Sequence, residues 1–70
     1  MKSVSGKKLA RELERYGWSL FCVQGSHYIY GKLGSIVRLS VPIHGDQPLK
    51  IGLLHHLLKM ADLTEADLDL

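Results

Sequence analysis

Cysteine and long apolar runs are scarce in this chain of 70 residues, and each shortage excludes a class of protein. Cys22 is the only cysteine, so an internal disulfide framework is excluded and a reducing cytoplasm suits the chain best. No apolar run approaches the ~20 residues that a helix needs to span a bilayer, so we expect no membrane partner. Residues 1–6 lack the apolar segment of a signal peptide, and we therefore expect a cytoplasmic location.

Acidic residues are scarce in most of the chain and concentrated at its end. Residues 1–60 carry all nine lysines and arginines against three acids, which gives a net charge of +6. Residues 61–70 carry four acids and no base, which gives −4. A basic body attracts a polyanion such as RNA, and its field speeds encounter more than it confers specificity. Because small domains are often mildly basic, charge alone does not identify a nucleic-acid binder.

The size of the chain predicts one domain with one modest core. A chain this short buries only about 60% of the surface that its unfolded form exposes. Its 46% hydrophobic and 23% charged content is typical of a folded globular domain. No repeat, low-complexity segment or linker divides the chain, so we predict a single domain over residues 1–70 that ends in the acidic segment 61–70.

The hydrophobic pattern predicts two main helices. Ser5 is suited to cap the first helix, and Gly17 to end it in a left-handed conformation. The apolar residues of this helix recur with a spacing near 3.6, at Leu9, Ala10, Leu13 and Tyr16. Its charged residues are then predicted to lie mostly on the wet face: Lys7, Lys8, Arg11, Glu12, Glu14 and Arg15. A second helix is predicted over residues 51–61, with an apolar stripe of Ile51, Leu54, Leu58 and Ala61 beside Leu57. Thr64 and Asp67 form an approximate capping box for a last short helix.

Three strands are predicted between the helices. Residues 18–24, 27–30 and 35–41 are rich in branched and aromatic side chains and are separated by glycine-containing turns. Pro42 ends the third strand because proline cannot donate a hydrogen bond to a ladder. The order αβββα predicts the α+β class, as a three-stranded antiparallel sheet with the helices packed on one face.

The pairing of the second and third strands follows from the loop that joins them. A four-residue loop at 31–34 pairs His27 with Arg38 and Ile29 with Ile36. Alternation of side chains then turns one apolar set toward the helices: Tyr28, Tyr30, Val37, Leu39 and Val41. The opposite, uncovered side carries His27, Ile29, Ile36, Arg38 and Ser40. A slip by one residue would invert the faces and bury Arg38, which is costly.

The first strand has two possible registers. A two-residue turn after Gln24 sends Phe21 and Val23 toward the helices. A three-residue turn sends a different set there, namely Trp18, Leu20 and Cys22. We favour the three-residue turn because it buries the larger aromatic side chain, but periodicity does not decide between the two.

The order of short motifs along the chain is more specific than its composition. Gly25-Ser26-His27 stands between two predicted strands. The flanking motifs are Ser5-Gly6-Lys7-Lys8-Leu9, Tyr16-Gly17-Trp18, Tyr28-Ile29-Tyr30 and Val41-Pro42-Ile43-His44-Gly45. Over residues 5–63 this order resembles the HicA toxin family, small messenger-RNA-cleaving partners of HicB antitoxins. The resemblance implies a fold similar to double-stranded-RNA-binding domains and a catalytic role for His27. The chain departs from the family at Tyr28, where many members have a second histidine.

Histidine is suited to RNA cleavage because its ordinary pKa of ~6.5 lies near working pH. In one route the 2′-hydroxyl attacks the adjacent phosphorus and forms a cyclic phosphate, with His27 as general base or acid. Arg38 or a nearby lysine then stabilises charge on the phosphate oxygens. The Ser26 side chain, or the backbone N–H groups of Gly25 and Ser26, positions the phosphate. A zinc site is disfavoured because no two histidines have i,i+4 spacing and no second thiolate is present. The expected enzyme is a metal-independent endoribonuclease without a cofactor.

Further contacts to RNA and to an antitoxin are assigned by charge and by face. The lysines expected to touch phosphate are Lys7, Lys8 and Lys32. Few aromatic residues are expected on the uncovered face, so base stacking would contribute little and sequence preference would be loose. A HicB-like antitoxin is expected to cover the same face through Ile29, Ile36 and Ser40. His44 is expected to shape the site or to order its own loop.

Two functions from different classes follow. The first is an endoribonuclease toxin that cleaves messenger RNA, arrests translation and is neutralised by a HicB-type antitoxin. The second is a non-catalytic RNA-binding or protein-interaction module on the same fold, such as a decayed toxin, because a fold alone does not establish activity. Loss of cleavage and of growth arrest in His27→Ala separates the first function from the second.

Overall fold

The computed structural model describes residues 3–68, and in it two helices pack against one face of a three-stranded sheet. The elements are α1 Gly6–Arg15, β1 Ser19–Gln24, β2 His27–Gly31, β3 Arg38–Pro42, α2 Ile51–Met60 and a short 3₁₀ helix Glu65–Asp67. The sheet is antiparallel in the order β1-β2-β3. The predicted α+β class and αβββα order are therefore confirmed.

Helix α1 begins and ends as its sequence predicts. The Ser5 side chain accepts a hydrogen bond of 3.1 Å from the backbone N–H of Lys8, which satisfies one of the free donors at the helix start. Gly17 follows the helix with a φ of +94°, a conformation that favours glycine. The apolar stripe is buried at Leu9, Ala10 and Leu13, and Tyr16 at its end is partly buried.

Glu12 is the exception on α1, because it is buried and not on the wet face as predicted. Its side chain makes ion pairs along the helix, 3.4 Å from Lys8 Nζ and 2.7 Å from Arg15 Nη1. A buried carboxylate is tolerated when cations and hydrogen bonds compensate for lost hydration. The helical pattern predicts which residues share a face, but it does not show how far neighbouring segments extend over that face.

The core lies between the helices and the inner face of the sheet. Its largest fully buried side chains come from the N-terminal segment, α1, β3 and α2: Val4, Leu9, Leu13, Leu39, Val41 and Leu54. The predicted stripe of α2 is buried at Leu54, Leu57, Leu58 and Ala61. Ile51 differs, because it is the first residue of α2 and 54% of its surface is exposed. No helix within residues 3–68 has the length and apolar character needed to cross a membrane.

The end of the described chain packs back onto the domain. The predicted capping box is present, with the Thr64 backbone N–H donating to the Asp67 carboxylate at 2.8 Å. The Tyr16 hydroxyl donates to the Asp67 carbonyl oxygen at 2.7 Å, and Leu68 joins the core. Residues 69–70 of the predicted acidic segment lie outside the described residues.

The register of β2 and β3 differs from the prediction by four residues. His27 lies opposite Pro42 and Gly31 lies opposite Arg38, so the connection is a six-residue loop at 32–37 and Ile36 belongs to that loop. The shift is an even number of residues, and the two faces are therefore as predicted. The observed register places the fully buried Leu39 and Val41 opposite Tyr30 and Tyr28 of β2 on the apolar face.

The turn before β2 also differs from the prediction. Gln24 pairs with His27 across the two-residue turn Gly25-Ser26, so the favoured three-residue turn is wrong. A β-bulge between Leu20 and Cys22 then switches the faces of β1. As a result, Leu20 lies on the same side of the sheet as Tyr30, and Trp18 is buried. A two-residue turn without a bulge would have turned both side chains away from the helices. The bulge also leaves Phe21 on the side of the sheet away from the helices.

Candidate active site

The open face is the side of the sheet that the helices leave uncovered. Alternation from the observed pairs places on it Cys22, Gln24, His27, Ile29, Gly31, Arg38, Ser40 and Pro42. All of β1 and most of the polar residues in this set are exposed. The open face therefore offers a broad surface to a large ligand and not a closed pocket.

His27 is the first residue of β2, directly after the turn at Gly25-Ser26. Its ring is exposed, and Nδ1 lies 3.2 Å from the Ser40 hydroxyl oxygen. Ser40 lies on the neighbouring strand β3, one diagonal position from His27, so the sheet itself sets this contact. Within residues 3–68 the ring makes no other hydrogen bond, which leaves Nε2 open to solvent and to a ligand.

A second histidine lies beside the same turn. The backbone N–H of Ile43 donates to the Ser26 carbonyl oxygen at 2.8 Å, which holds the segment after β3 against the turn. His44 Nε2 then lies 3.4 Å from the Ser26 hydroxyl oxygen. The structure therefore brings Ser26, His27 and His44 together at one end of the sheet. The motif Pro42-Ile43-His44-Gly45 indicated His44, but only the register of β3 places it here.

Arg38 lies at the other end of the open face and not opposite His27. It pairs with Gly31, four residues along β2, which corresponds to about 13 Å at strand spacing. Its Nη1 donates to the carbonyl oxygens of Ser35 and Val37 at 3.2 and 3.0 Å. The predicted pairing of Arg38 with His27 is therefore wrong, because the observed register moves Arg38 to the opposite end of the sheet.

Phe21 is the residue of the open face that sequence reasoning missed. Its ring lies beneath the Arg38 guanidinium, whose central carbon is 4.4 Å from the ring centroid. The ring also lies over Gly31, where any Cβ would come within 2.8 Å of it. Phe21 is 53% exposed, so the expectation of an open face poor in aromatic residues is incomplete. The isolated glycine in β2 was the available signal, since such a glycine often marks a bulge or a close approach.

The three predicted lysines occupy different places. Lys7 lies at the start of α1, near the end of the sheet that carries His27, and its Nζ is 3.7 Å from the Asp46 carboxylate. Lys8 is partly buried against Glu12. Lys32 follows β2 at the opposite end, with its Nζ 5.8 Å from the centroid of the Trp18 ring. They do not converge on one phosphate.

The predicted antitoxin contacts divide into two groups. Ile29 and Ser40 are cross-strand neighbours on the open face, and Ile29 is half-buried there. Ile36 belongs to the loop between β2 and β3 and is 96% exposed. Ile29 and Ser40 therefore form one surface beside His27, while Ile36 projects from a separate loop.

The remaining titratable groups do not join this site. Among residues 3–68, no three or more side chains of His, Cys, Asp or Glu are grouped in a way that would hold a metal ion. His55 pairs with Glu65 between α2 and the 3₁₀ helix. Burial raises the pKa of Tyr30, and the Glu14 carboxylate and Tyr28 raise it further, but this phenol faces the helices.

Comparison with known proteins agrees with the arrangement of fold and motifs. No curated protein matches the chain. A family model described as "HicA toxin of bacterial toxin-antitoxin" matches residues 6–63, a range that begins with α1 and ends after α2. Because that match covers well over half of the chain, the protein belongs to the HicA family of bacterial toxin–antitoxin toxins.

Proposed function

We propose that the chain is an endoribonuclease toxin that binds and cleaves messenger RNA and thereby arrests translation, with His27 as its general acid/base. The observation that carries the proposal is the exposed imidazole on the open face, oriented by Ser40 at 3.2 Å. Membership of a toxin family supplies the biological context. The catalytic unit is a single domain over residues 1–70.

The proposed reaction consists of attack by the 2′-hydroxyl oxygen on the adjacent phosphorus. The 2′-hydroxyl loses its proton, the bond from phosphorus to the 5′-oxygen breaks, and that oxygen gains a proton. The products are a 2′,3′-cyclic phosphate and a free 5′-hydroxyl. Imidazole can carry out such proton transfers near neutral pH, so the reaction requires neither a metal ion nor a cofactor. Because the nucleophile is the 2′-hydroxyl, DNA is not a substrate.

RNA is held by several weak contacts to its phosphates. Ser26, the residue before His27, binds the reacting phosphate through its hydroxyl or its backbone N–H. Lys7 binds near the same end of the sheet, and Arg38 and Lys32 bind at the other end, where a neighbouring part of the RNA strand passes. Lys8 adds mainly to the positive field because Glu12 already neutralises it in part.

The proposed partner is a HicB-like antitoxin that covers the open face and blocks His27. Ile29 and Ser40 lie beside the imidazole, and Ile36 offers a fully exposed apolar side chain to the partner. Complete burial of an exposed isoleucine contributes about 1.5–3 kcal/mol, and the half-buried Ile29 contributes less. Since the substrate is messenger RNA in a bacterium, the proposed location is the cytoplasm.

The decisive experiment measures cleavage of a single-stranded RNA by the purified chain and by His27→Ala. We expect the substitution to lower the rate by about 10²–10⁴-fold, the usual contribution of a general acid or base. His56→Ala is the matched control, because His56 is also an exposed histidine but lies on α2. EDTA should leave the rate of the parent chain unchanged. Binding of RNA without cleavage by the parent chain would favour the non-catalytic module instead.

A further inference from the structure

The two histidines at the Gly25-Ser26 turn suggest more than one catalytic imidazole. His27 follows Ser26 directly in the chain, and His44 Nε2 contacts the Ser26 hydroxyl at 3.4 Å. Consecutive Cα atoms are about 3.8 Å apart, so the His44 ring contacts the residue adjacent to His27. Both histidines are exposed. A phosphodiester bound at Ser26 would therefore lie close to both histidines.

We propose that His44 is a second catalytic residue and shares the two proton transfers with His27. One imidazole takes the proton of the 2′-hydroxyl while the other gives a proton to the departing 5′-oxygen. After one turnover the two rings have exchanged protonation states, and exchange with water restores them. This inference rests on the proposed ribonuclease function. That function requires His27 alone, and the inference adds His44.

Each of the two histidine rings has one nitrogen in contact with a serine and the other nitrogen open to a ligand. Ser40 binds Nδ1 of His27 and leaves Nε2 open, whereas Ser26 contacts Nε2 of His44 and leaves Nδ1 open. Lys50 lines the same groove of about 330 Å³ as His44. The other nearby charges are the Asp46 carboxylate and the Lys7 ammonium group that pairs with it. Because the Lys7–Asp46 pair is neutral overall, Lys50 supplies the positive charge that favours an anionic ligand beside His44.

A purely structural role of His44 predicts different results from a catalytic role. If the ring only orders its loop, His44→Gln should act mildly, because an amide can still hydrogen-bond to Ser26. Ser26→Ala should then be at least as damaging, since it removes the contact and keeps the imidazole. A catalytic role predicts the reverse order, with a loss of about 10²–10⁴-fold for His44→Gln and a smaller loss for Ser26→Ala.

The sharpest test replaces the bridging 5′-oxygen of a short RNA substrate with sulfur. A thiolate departs without protonation because a thiol has an ordinary pKa of about 8.5, far below that of an alcohol. Cleavage of this substrate therefore needs a base but no acid. We expect it to restore the rate of one of the two variants, His27→Gln or His44→Gln, and to leave the other impaired. The variant that recovers identifies the acid.

The pH dependence gives a second readout. The parent chain should show a bell-shaped profile of kcat/KM, and His44→Gln should lose one limb of it. His56→Gln is the matched control and should keep both limbs. The inference is overturned if His44→Gln keeps the parent rate and profile, or if sulfur restores neither variant or both. Absence of cleavage by the parent chain would overturn the proposed function itself, a result distinct from a His44 variant that cleaves normally.

The pair of Phe21 and Arg38 carries an independent inference about RNA binding. We infer that this pair is a stacking platform for one nucleobase of single-stranded RNA. A bulge turns the phenylalanine to the open face, a glycine leaves room for its ring, and the guanidinium stacks at 4.4 Å. Within residues 3–68 no carboxylate pairs with Arg38, so its charge is available to a phosphate. Aromatic rings and guanidinium planes are the surfaces on which unpaired bases stack.

The distance of the platform from His27 determines which nucleotide of the RNA stacks on it. It lies about 13 Å from His27 along β2, at strand spacing, so the stacked base belongs to a nucleotide outside the scissile bond. A platform at a constant distance from the catalytic ring selects a base at a constant distance from the cut. Stacking accepts every base but favours the larger ring systems, so we expect a preference and not a strict sequence.

The test uses a set of RNA oligonucleotides in which a single abasic nucleotide moves along the strand. For the parent chain, one abasic position other than the cleavage site should raise KM. The expected factor is about 5- to 150-fold, the range that corresponds to the loss of one stacked base. Phe21→Leu should raise KM for the intact RNA by a similar factor and should be insensitive to that abasic position. Phe21→Trp should behave like the parent chain.

Two further variants separate stacking from general damage. Gly31→Ala should mimic Phe21→Leu, because the new Cβ displaces the ring. Leu33→Ala is the matched control, since Leu33 is completely exposed and apolar but lies in the following loop. The inference is overturned if Phe21→Leu binds and cleaves the intact RNA as the parent chain does. It is also overturned if no abasic position affects the parent chain.

Discussion

Single residues decide how closely α1 approaches the strand that faces His27. Gly6, the first residue of α1, lies against Pro42, where a Cβ would come within 2.1 Å of the carbonyl oxygen. Pro42 pairs with His27 across the sheet. The glycine therefore allows the start of α1 to pack at the end of the sheet that carries the site. Close packing against Pro42 thus explains why the Ser5-Gly6 motif has a glycine at its second position.

Gly6→Ala should lower the free energy of unfolding by about 1–3 kcal/mol, because the methyl group must displace backbone atoms. Gly52→Ala is the matched substitution in the other helix. No atom lies within 4 Å of its added Cβ, and alanine favours a helix by up to about 1 kcal/mol over glycine. Urea unfolding should therefore show opposite signs for the two variants. Equal effects would contradict the close approach of Gly6.

Tyr30 should make stability depend on pH in the alkaline range. Burial raises the pKa of its phenol, and the Glu14 carboxylate and Tyr28 add to the effect. The folded state therefore holds this proton more tightly than the unfolded state, whose phenol ionises near 10.0. The stabilisation that the Tyr30 phenol contributes is therefore complete below that pH and is lost as the pH rises through the higher pKa of the folded state. The urea midpoint should fall between about pH 9 and 11 less steeply in Tyr30→Phe than in the parent chain.

At the scale of elements, pairing and turns determine what the open face presents. Alternation along β2 and β3 predicted which residues are exposed, and the observed shift of four residues preserved that result. The shift nevertheless moved Arg38 to the far end of the sheet and Ile36 into a loop. The bulge in β1 had the larger consequence, because it turned Phe21 toward the open face while Trp18 stayed buried.

The short C-terminal helix should depend on one hydrogen bond to α1. The Tyr16 hydroxyl donates to the Asp67 carbonyl oxygen at 2.7 Å, so Tyr16→Phe should lower the free energy of unfolding by about 1 kcal/mol. It should also speed proteolysis near the C-terminus. Tyr28→Phe is the control, because its hydroxyl has no hydrogen-bond partner in the described part of the chain. If both variants unfold at the same urea concentration, the bond does not stabilise the fold.

At the scale of the whole molecule, charge and family membership indicate which ligands and partners the protein should bind. The basic body has a net charge of +6 over residues 1–60, and the acidic charges of the last ten residues oppose it. The structure spreads the predicted lysines over both ends of the sheet. RNA affinity should accordingly be a sum of weak phosphate contacts and not the product of one basic pocket.

Binding of single-stranded RNA should therefore weaken as salt rises. Each phosphate that a lysine or arginine neutralises contributes about −0.7 to the slope of log K against log salt concentration. Lys7→Gln should reduce the slope by about that amount. Lys59→Gln should change it little, because Lys59 lies near the end of α2, which packs on the side of the sheet opposite the open face. Equal slopes for the parent chain and Lys7→Gln would exclude Lys7 from the RNA contact.

The amino-acid sequence by itself determined the order of elements, the boundaries of both helices, the two faces of the second hairpin and the family. These features follow from local capping, from periodicity and from motif order, which do not require knowledge of distant neighbours. Only the tertiary structure decided the register of β3, the bulge at Phe21, the burial of Glu12 and the contact of His44 with Ser26. Alternation specifies which face a side chain occupies but not which partner it meets, because a shift by an even number of residues leaves every face unchanged.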